Sequence, residues 1–390
     1  MSQVQTQSAP TGKSLTNERL VSLDAFRGIT IMGMILVNNP GSWGSLYAPL
    51  AHATWHGWTP TDLVFPFFLF IVGVAIAFAF TKQLAKGADP TDLVRKLAQR
   101  SLIIFGLGLV MAGYPYFTVE GGFGLHGNLT DIRIPGVLQR IALCYFFASL
   151  LFLYTSHRTQ VYTIIGLLFG YWFMMTTIPV PGFGAGLIDD PEANLAAYID
   201  RLILGTHIYL GGPYDPEGIL STLPAIATTL FGIITGRILV SDKEKTLKTV
   251  QLFVMGALLI VAGYIWNWYF PINKALWTSS YVVFTAGQAM CGLALCYWFI
   301  DVQKKQTWSQ PFVEYGINAI TVYFLSGILA ETLGLIHFND NSLQAIIYQN
   351  IFVPLSTTPE ISSLLYALTW VGLWYGILHM MYKRKIIIKV

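Results

Sequence analysis

The sequence predicts an all-α integral membrane protein, a bundle of about ten transmembrane helices. Three observations lead there. Of 390 residues, 54% are hydrophobic and only 11% charged, whereas soluble domains carry roughly a quarter charged residues, and the mean hydropathy is +0.57. Apolar runs of about 18 to 22 residues recur along the chain, long enough to cross a roughly 30 Å hydrocarbon core. The basic residues gather in short connectors between runs, as membrane topology requires. A soluble two-domain enzyme is excluded, and a net charge of +3 leaves no footprint for nucleic acid. Cys144, Cys291 and Cys296 fall inside apolar runs without metal or redox spacing, so they are expected to be packing residues.

Residues 1–18 read as a polar cytoplasmic tail without the apolar core of a signal peptide, and 19–390 as a single transmembrane domain. The first span, Leu20 to Val37, is interrupted by Asp24 and Arg27. At 100° per residue these two and Asn38 lie within about 60° of one face. An i,i+3 pair anchoring one helix end would explain Asp24 and Arg27. A polar face running the length of the span points instead to a lined cavity, because ionisable groups at membrane depth are costly.

Pro40 to Pro60, rich in Gly, Pro and Trp, forms the first outer loop, and Asp62 to Phe80 the second span. Lys82, Lys86, Arg95, Lys96 and Arg100 flank the next connector, which the positive-inside rule makes cytoplasmic together with the N-terminus. The third span runs from about Leu97 to Ala112. The following outer loop contains GGFGLHGN, a run that cradles phosphate only in front of a suitable helix. The fourth span, Ile134 to Tyr154, opens RIPGVLQR. It places Arg133 and Arg140 on one face, with Arg140 deep enough to need a carboxylate or a ligand.

The fifth span, Tyr162 to Ile178, leads to the longest outer segment, with one short helix expected around Pro191 to Leu204. Asp215 and Glu217 precede the sixth span, Ile219 to Leu239, where they could bind substrate or simply complement a helix N-terminus. The seventh span is Thr249 to Phe270 and the eighth Ser279 to Ile300. A helical start to the eighth would put Lys274, Trp277 and Tyr281 on one face, for substrate or as interfacial anchors. The ninth, Val313 to Gly334, carries Glu314, Asn318 and Thr321 as a polar stripe. The last, Ser363 to Tyr382, ends in KRKIIIK. Keeping that basic end cytoplasmic makes Leu343 to Leu355 an interfacial or re-entrant helix rather than a span.

His52 and His56, four apart in HATWH, could share a metal with Asp62, form a structural pair, or supply a catalytic base. The internal Glu of HExxH is missing and the flanking Gly and Pro argue against a long helix. No metal is expected.

The blocks SLDAFRG, the VN closing the first span, HATWHG, DLVFPFFLFIVG, RIPGVLQRIALCYF, YDPEG, NKALWTSSY and GINAITVY occur in order from Ser22 to Tyr323. They resemble the corresponding blocks of the heparan-α-glucosaminide N-acetyltransferase family and its bacterial membrane homologues. The resemblance implies transfer of acetyl from cytoplasmic acetyl-CoA to the amine of a glucosamine unit across the membrane. It puts the active-site histidine at His52, with Asn38 and Asp62 beside it, and the FRG arginine at Arg27. His56 stands where the animal enzyme has Asn, so no catalytic role is carried to it. It also implies a homodimer.

On this reading Asp24, Arg27 and Arg140 belong to the acetyl-CoA side. Arg133, Asp215, Glu217, Lys274 and Trp277 belong to the acceptor, a bacterial amino sugar or cell-envelope glucosamine, since the chain begins almost directly at the first span. The expected setting is a bacterial inner membrane with both termini cytoplasmic. His52 is expected to act as general base, with a transient acetyl-His as the alternative. Donor and acceptor approach from opposite faces, so the loop bearing His52 must dip among the helices, where irregular backbone survives only inside protein or a wet cavity. A sugar or sugar-lipid transporter is the main rival, and a structural scaffold the third class.

Overall fold

The computed structural model describes residues 20–118, 124–125 and 129–388. The polar tail and most of GGFGLHGN, including His126, lie outside the described residues. The helices are α1 (Val21–Asn38), α2 (Val64–Ala85), α3 (Pro90–Gly113), α4 (Val137–Tyr154), α5 (His157–Thr177), α6 (Leu195–Leu204), α7 (Thr222–Val240), α8 (Lys245–Asn267), α9 (Ser279–Tyr297), α10 (Gln310–Ile317), α11 (Ala319–Leu335), α12 (Leu343–Ile347) and α13 (Pro359–Lys383). The short α6 and α12 fall where a helix within an outer loop and an interfacial helix are expected.

Among the described residues, seven helices are individually long and apolar enough to cross a membrane, and α10 with α11 adds an eighth if taken as one broken span. α3 and α5 are 24 and 21 residues long. They open on the polar turns PTDLVRKLAQR and HRTQVYT, which Asp89 and Ser156 cap through the N–H groups of Thr91 and Thr159. The expected ten is reached only by counting these two on length.

Between spans there is little hydrophobic drive in lipid, so close backbone approach has to hold the pairs together. Glycines permit it in three places. A Cβ added to Gly28 would lie 1.6 Å from the Phe312 carbonyl oxygen, and one on Gly316 2.0 Å from that of Asp24, which joins α1 to α10. Gly73 and Gly232 join α2 to α7, with Cβ positions 1.9 Å from Thr229 O and 2.0 Å from Phe70 O. Gly263 and Gly287 do the same for α8 and α9. The other face of α8 exposes Val250, Val254, Leu258, Val261 and Ile265 at helical spacing, an apolar stripe suited to lipid.

The ninth span is not continuous. α10 and α11 meet at 69° around Asn318, which has left the helix (φ −113°, ψ 36°). Glu314, Asn318 and Thr321 therefore form no common stripe. Glu314 accepts from Gln310 and pairs with His379 Nδ1 at 2.9 Å. Asn318 holds the chain's last described segment, donating to Ile386 O and accepting from Ile388 N.

The segments 39–63, 114–118, 129–136, 178–221, 268–278 and 336–358 gather at one end of the bundle, here the loop end, through bonds such as Trp55 Nε1 to Ile188 O, Gly57 N to Ile272 O and Ile134 N to His207 O. The loop after α1 dips. Its Trp58 ring sits 5.0 Å from that of Phe284, about 7.5 Å down α9 at 1.5 Å per residue. The connectors at the opposite, basic end are short.

Gly28→Leu or Gly73→Leu should lower stability by about 1–3 kcal/mol through overpacking, seen as a lower melting temperature in detergent. Gly166→Leu, with nothing within 4 Å of its Cβ position, should leave that temperature unchanged.

Candidate active site

The sequence TPTD starts α2 with a short 3₁₀ turn, Pro60–Leu63, and this turn places Asp62. One carboxylate oxygen meets His52 Nδ1 at 2.6 Å; the other accepts from Ala53 N at 3.1 Å and Thr59 N at 2.9 Å. The Asp62 carbonyl accepts from the Tyr281 hydroxyl at 2.5 Å. Thr59 Oγ1 donates to Ala51 O and Thr61 Oγ1 to Pro49 O, which pins the loop to the helix start. The Asp62 side chain is 1% exposed and that of His52 48%. An acceptor carboxylate on Nδ1 puts the proton there and leaves Nε2 as an exposed lone pair, the arrangement of a general base held by a buried acid.

His56 does not join this pair. The segment is not helical, and His56 meets Asp189 at 2.8 Å and lies near Asn273. With each histidine on its own carboxylate, the two do not converge, and no group of three His, Cys, Asp or Glu among the described residues is placed to hold a metal. Asn38 ends α1 in an exposed position.

At the other end of α1, Asp24 is buried and accepts from Arg27 at 2.9 Å, while Arg27 also donates to Gly316 O at 3.3 Å. Asp24 thus orients Arg27, and it is Arg27 that borders a cavity of about 420 Å³. Arg100, over the Tyr145 ring at 5.1 Å, Asn318 and Ile388 line the same cavity, whose floor is apolar with Phe68, Ile104 and Ile141. A chamber with two guanidinium groups at a polar rim above an apolar floor suits an anionic head carrying a less polar arm. His52 is not among its lining residues.

The loop-end residues chosen from sequence mostly bind each other. Arg133 reaches Asp215 through two bonds (2.8 and 2.6 Å) and Glu217 through one (2.5 Å), with its guanidinium 4.7 Å over the Tyr209 ring. Burial pulls Arg133 toward losing its proton, but the hydrogen bonds and charges of Asp215 and Glu217 outweigh it and raise its pKa. Burial pushes Glu217 up, and the charges of Lys274, Arg133 and Arg140 more than reverse this, leaving it below the ordinary range. Asp215 does not cap α7, because its carboxylate also takes Tyr209 N and Glu217 N.

Arg140 is 1% exposed and meets no carboxylate among the described residues. It donates to Pro216 O, Gly218 O and Ser221 Oγ, under Trp277 at 5.2 Å. Carbonyl oxygens of the turn before α7 accept from both of its terminal nitrogens, while its buried Nε meets no acceptor among the described residues. Lys274 to Trp277 form a turn rather than a helix, with Trp277 at φ 53°. Lys274, Trp277 and Tyr281 therefore share no helical face. Trp277 is fully buried, bonded to Thr228 Oγ1 and packed on Phe65 and Tyr281. It supports the Asp62 region through Tyr281, whose hydroxyl donates to the Asp62 carbonyl. The sequence reading passed over Thr59 and, grouping Tyr281 with Lys274 and Trp277, missed its bond to Asp62. Thr59 was legible, since T-x-x-D ahead of an apolar run is a capping pattern. Tyr281 was not, because only the tertiary fold brings it to Asp62.

These features define a multi-pass helical membrane protein with an oriented histidine at one end and an arginine-rimmed chamber opening toward the other. The chain belongs to the heparan-alpha-glucosaminide N-acetyltransferase family: residues 19–266 match the model "Heparan-alpha-glucosaminide N-acetyltransferase, catalytic". It is 32% identical to human heparan-alpha-glucosaminide N-acetyltransferase over 357 residues, covering 78% of this chain and 52% of the human one. To the mouse protein it is 32% identical over 367 residues, covering 80% and 54%. The chain spans about half the length of the curated relatives it matches.

Arg133→Met should strip two buried carboxylates of their partner and cost about 3–5 kcal/mol, read as a lower melting temperature. Asp200 accepts from Ile219 N at 2.9 Å and from Asp215 N; burial pushes it up to about 6, against about 3.9 in an unfolded chain. Between those values the folded protein binds a proton that the unfolded chain does not, so this group adds stability as pH falls. The wild type should therefore gain melting temperature relative to Asp200→Asn on going from pH 7 to pH 5.

Proposed function

We propose that the chain is a transmembrane N-acetyltransferase that moves acetyl from acetyl-CoA to the amine of a glucosamine-type sugar. The observation that carries this is the His52–Asp62 pair, a half-exposed imidazole whose Nδ1 is held by a buried carboxylate. Family membership supports the reaction class. The loop end, with Arg133, Arg201 and Lys274 its basic residues outside the spans, faces the periplasm. The end with Lys82, Lys86, Arg95, Lys96, Lys304, Lys305 and Lys383 to Lys385 faces the cytoplasm of a bacterial inner membrane.

Acetyl-CoA binds from the basic end, its phosphates against Arg27 and Arg100 and its arm over the apolar floor. The sugar binds at the loop end. As its nitrogen attacks the thioester carbon, His52 Nε2 takes a proton from that nitrogen, Asp62 stabilises the imidazolium, and charge develops on the carbonyl oxygen, for which Asn38 is the proposed donor. The C–S bond then breaks, the imidazolium returns its proton to the departing thiolate, and amide and free CoA result.

In purified protein with labelled acetyl-CoA and glucosamine, His52→Ala should lower the transfer rate by about 10²–10⁴-fold, and Asp62→Asn by a comparable factor. Full activity in His52→Ala would sink the mechanism. A transporter would instead carry labelled glucosamine into proteoliposomes without consuming donor.

A further inference from the structure

Three cavities stand end to end beside α4. The first is the Arg27 chamber. The second, about 700 Å³, opens at the loop end and is lined by Asp131, Arg133, Gln139, Tyr209 and Tyr323. A third, of about 10 Å³, shares Phe68, Ile141 and Ile320 with the first and Val137, Leu138 and Tyr323 with the second. The two larger chambers are thus separated by one narrow segment.

That segment is apolar. Ile31 and Met34 of α1 face it, together with Phe68 of α2 and Ile320 and Tyr323 of α11. A space of this size is at the lower limit for a single water, and it lacks the two to four polar partners that a water needs. It is dry, between chambers with charged side chains on both sides. α1 presents Arg27, Ile31, Met34 and Asn38 at i, i+4, i+7 and i+11, one face along its length. The polar face expected from sequence is therefore polar at its two ends and apolar in the middle.

Resting on the acetyltransferase reading, we propose that Ile31, Met34, Phe68, Ile320 and Tyr323 form a gate that parts to pass the thioester arm of a short acyl-CoA and shuts out water and longer acyl chains. Met34 is unbranched and adapts its shape readily, and Ile320 lies in the first turn after the Asn318 break, so both can shift without unpacking a straight helix. The gate limits acyl length because each added methylene must find space in a packed constriction.

The test has two independent readouts. Ala75 lines the Arg27 chamber, so Ala75→Cys reports access to it. In sealed vesicles of each orientation, a membrane-impermeant maleimide should label this cysteine from the basic end only, after subtraction of labelling in protein without the substitution. Adding Met34→Ala and Ile320→Ala should let the reagent in from the loop end, with labelling raised at least about 10-fold. If the pair lowers folded yield, Phe68→Leu alone serves. Labelling from both ends in the gate-intact protein, or one-sided labelling after opening, would overturn the proposal. In the second readout the opened variant should raise use of butyryl-CoA relative to acetyl-CoA about 10-fold and release CoA without acceptor. An unchanged ratio counts against the gate. Absence of acetyl transfer in the parent protein would refute the enzyme reading instead, while the labelling still decides the gate.

Discussion

Asp62 is where most of the loop end is fixed. A loop that sinks among helices must satisfy its own backbone, since water is not there to do it. One carboxylate does this for Ala53 and Thr59 while orienting His52, and the same residue's carbonyl takes the Tyr281 hydroxyl from α9. The start of α2, the position of the imidazole and the level of the loop against α9 all meet at a single residue. Below it, Phe65 rests on Trp277 and Trp277 on Tyr281, and Arg140 closes the stack from α4. Residues that the sequence marks as costly at membrane depth thus fall into two kinds. The Arg133–Asp215–Glu217 cluster is paired internally and Arg140 is held by the turn before α7 through its two terminal nitrogens, whereas His52 keeps one nitrogen free.

The outline of the bundle was legible because hydropathy and the placement of lysines and arginines follow directly from the bilayer. The interfacial segment after Leu343 was legible for the same reason, and the short helix at Leu195 from the Gly and Pro that bound its segment. Pairing was not. The sequence shows Gly28 and Gly316, but nothing along the chain says that each lies against the other's helix. The break at Asn318 also escaped, because the partners that Asn318 meets there, residues 386–388, lie far along the chain. Among site residues, those set by local pattern, His52 and Asp62 in HATWH and TPTD, stand together. Those chosen by helical phase from an assumed helix, Lys274 and Trp277, do not, because a turn with a positive φ at Trp277 intervenes.

At the basic end a carboxylate shares the task with helix backbone. Arg27 is held by Asp24 and by the carbonyl of Gly316, at the same close approach of α1 and α10 that the two glycines allow. Packing and ligand chemistry share residues here, so the position of a guanidinium at the chamber rim depends on the fit of two helices. A shift of α10 would move Arg27 and the Asn318 elbow together.

That elbow has a practical consequence. Asn318 grips the polypeptide beyond α13 through both its amide oxygen and nitrogen, and Ile388 forms part of the wall around Arg27 and Arg100. Trimming residues 386–388 would therefore take away part of that wall and leave the Asn318 side chain at the elbow without these two bonds. Ligand-binding measurements on a protein shortened there would describe a chamber with one side missing, so the segment after α13 is wall and not a dispensable tail.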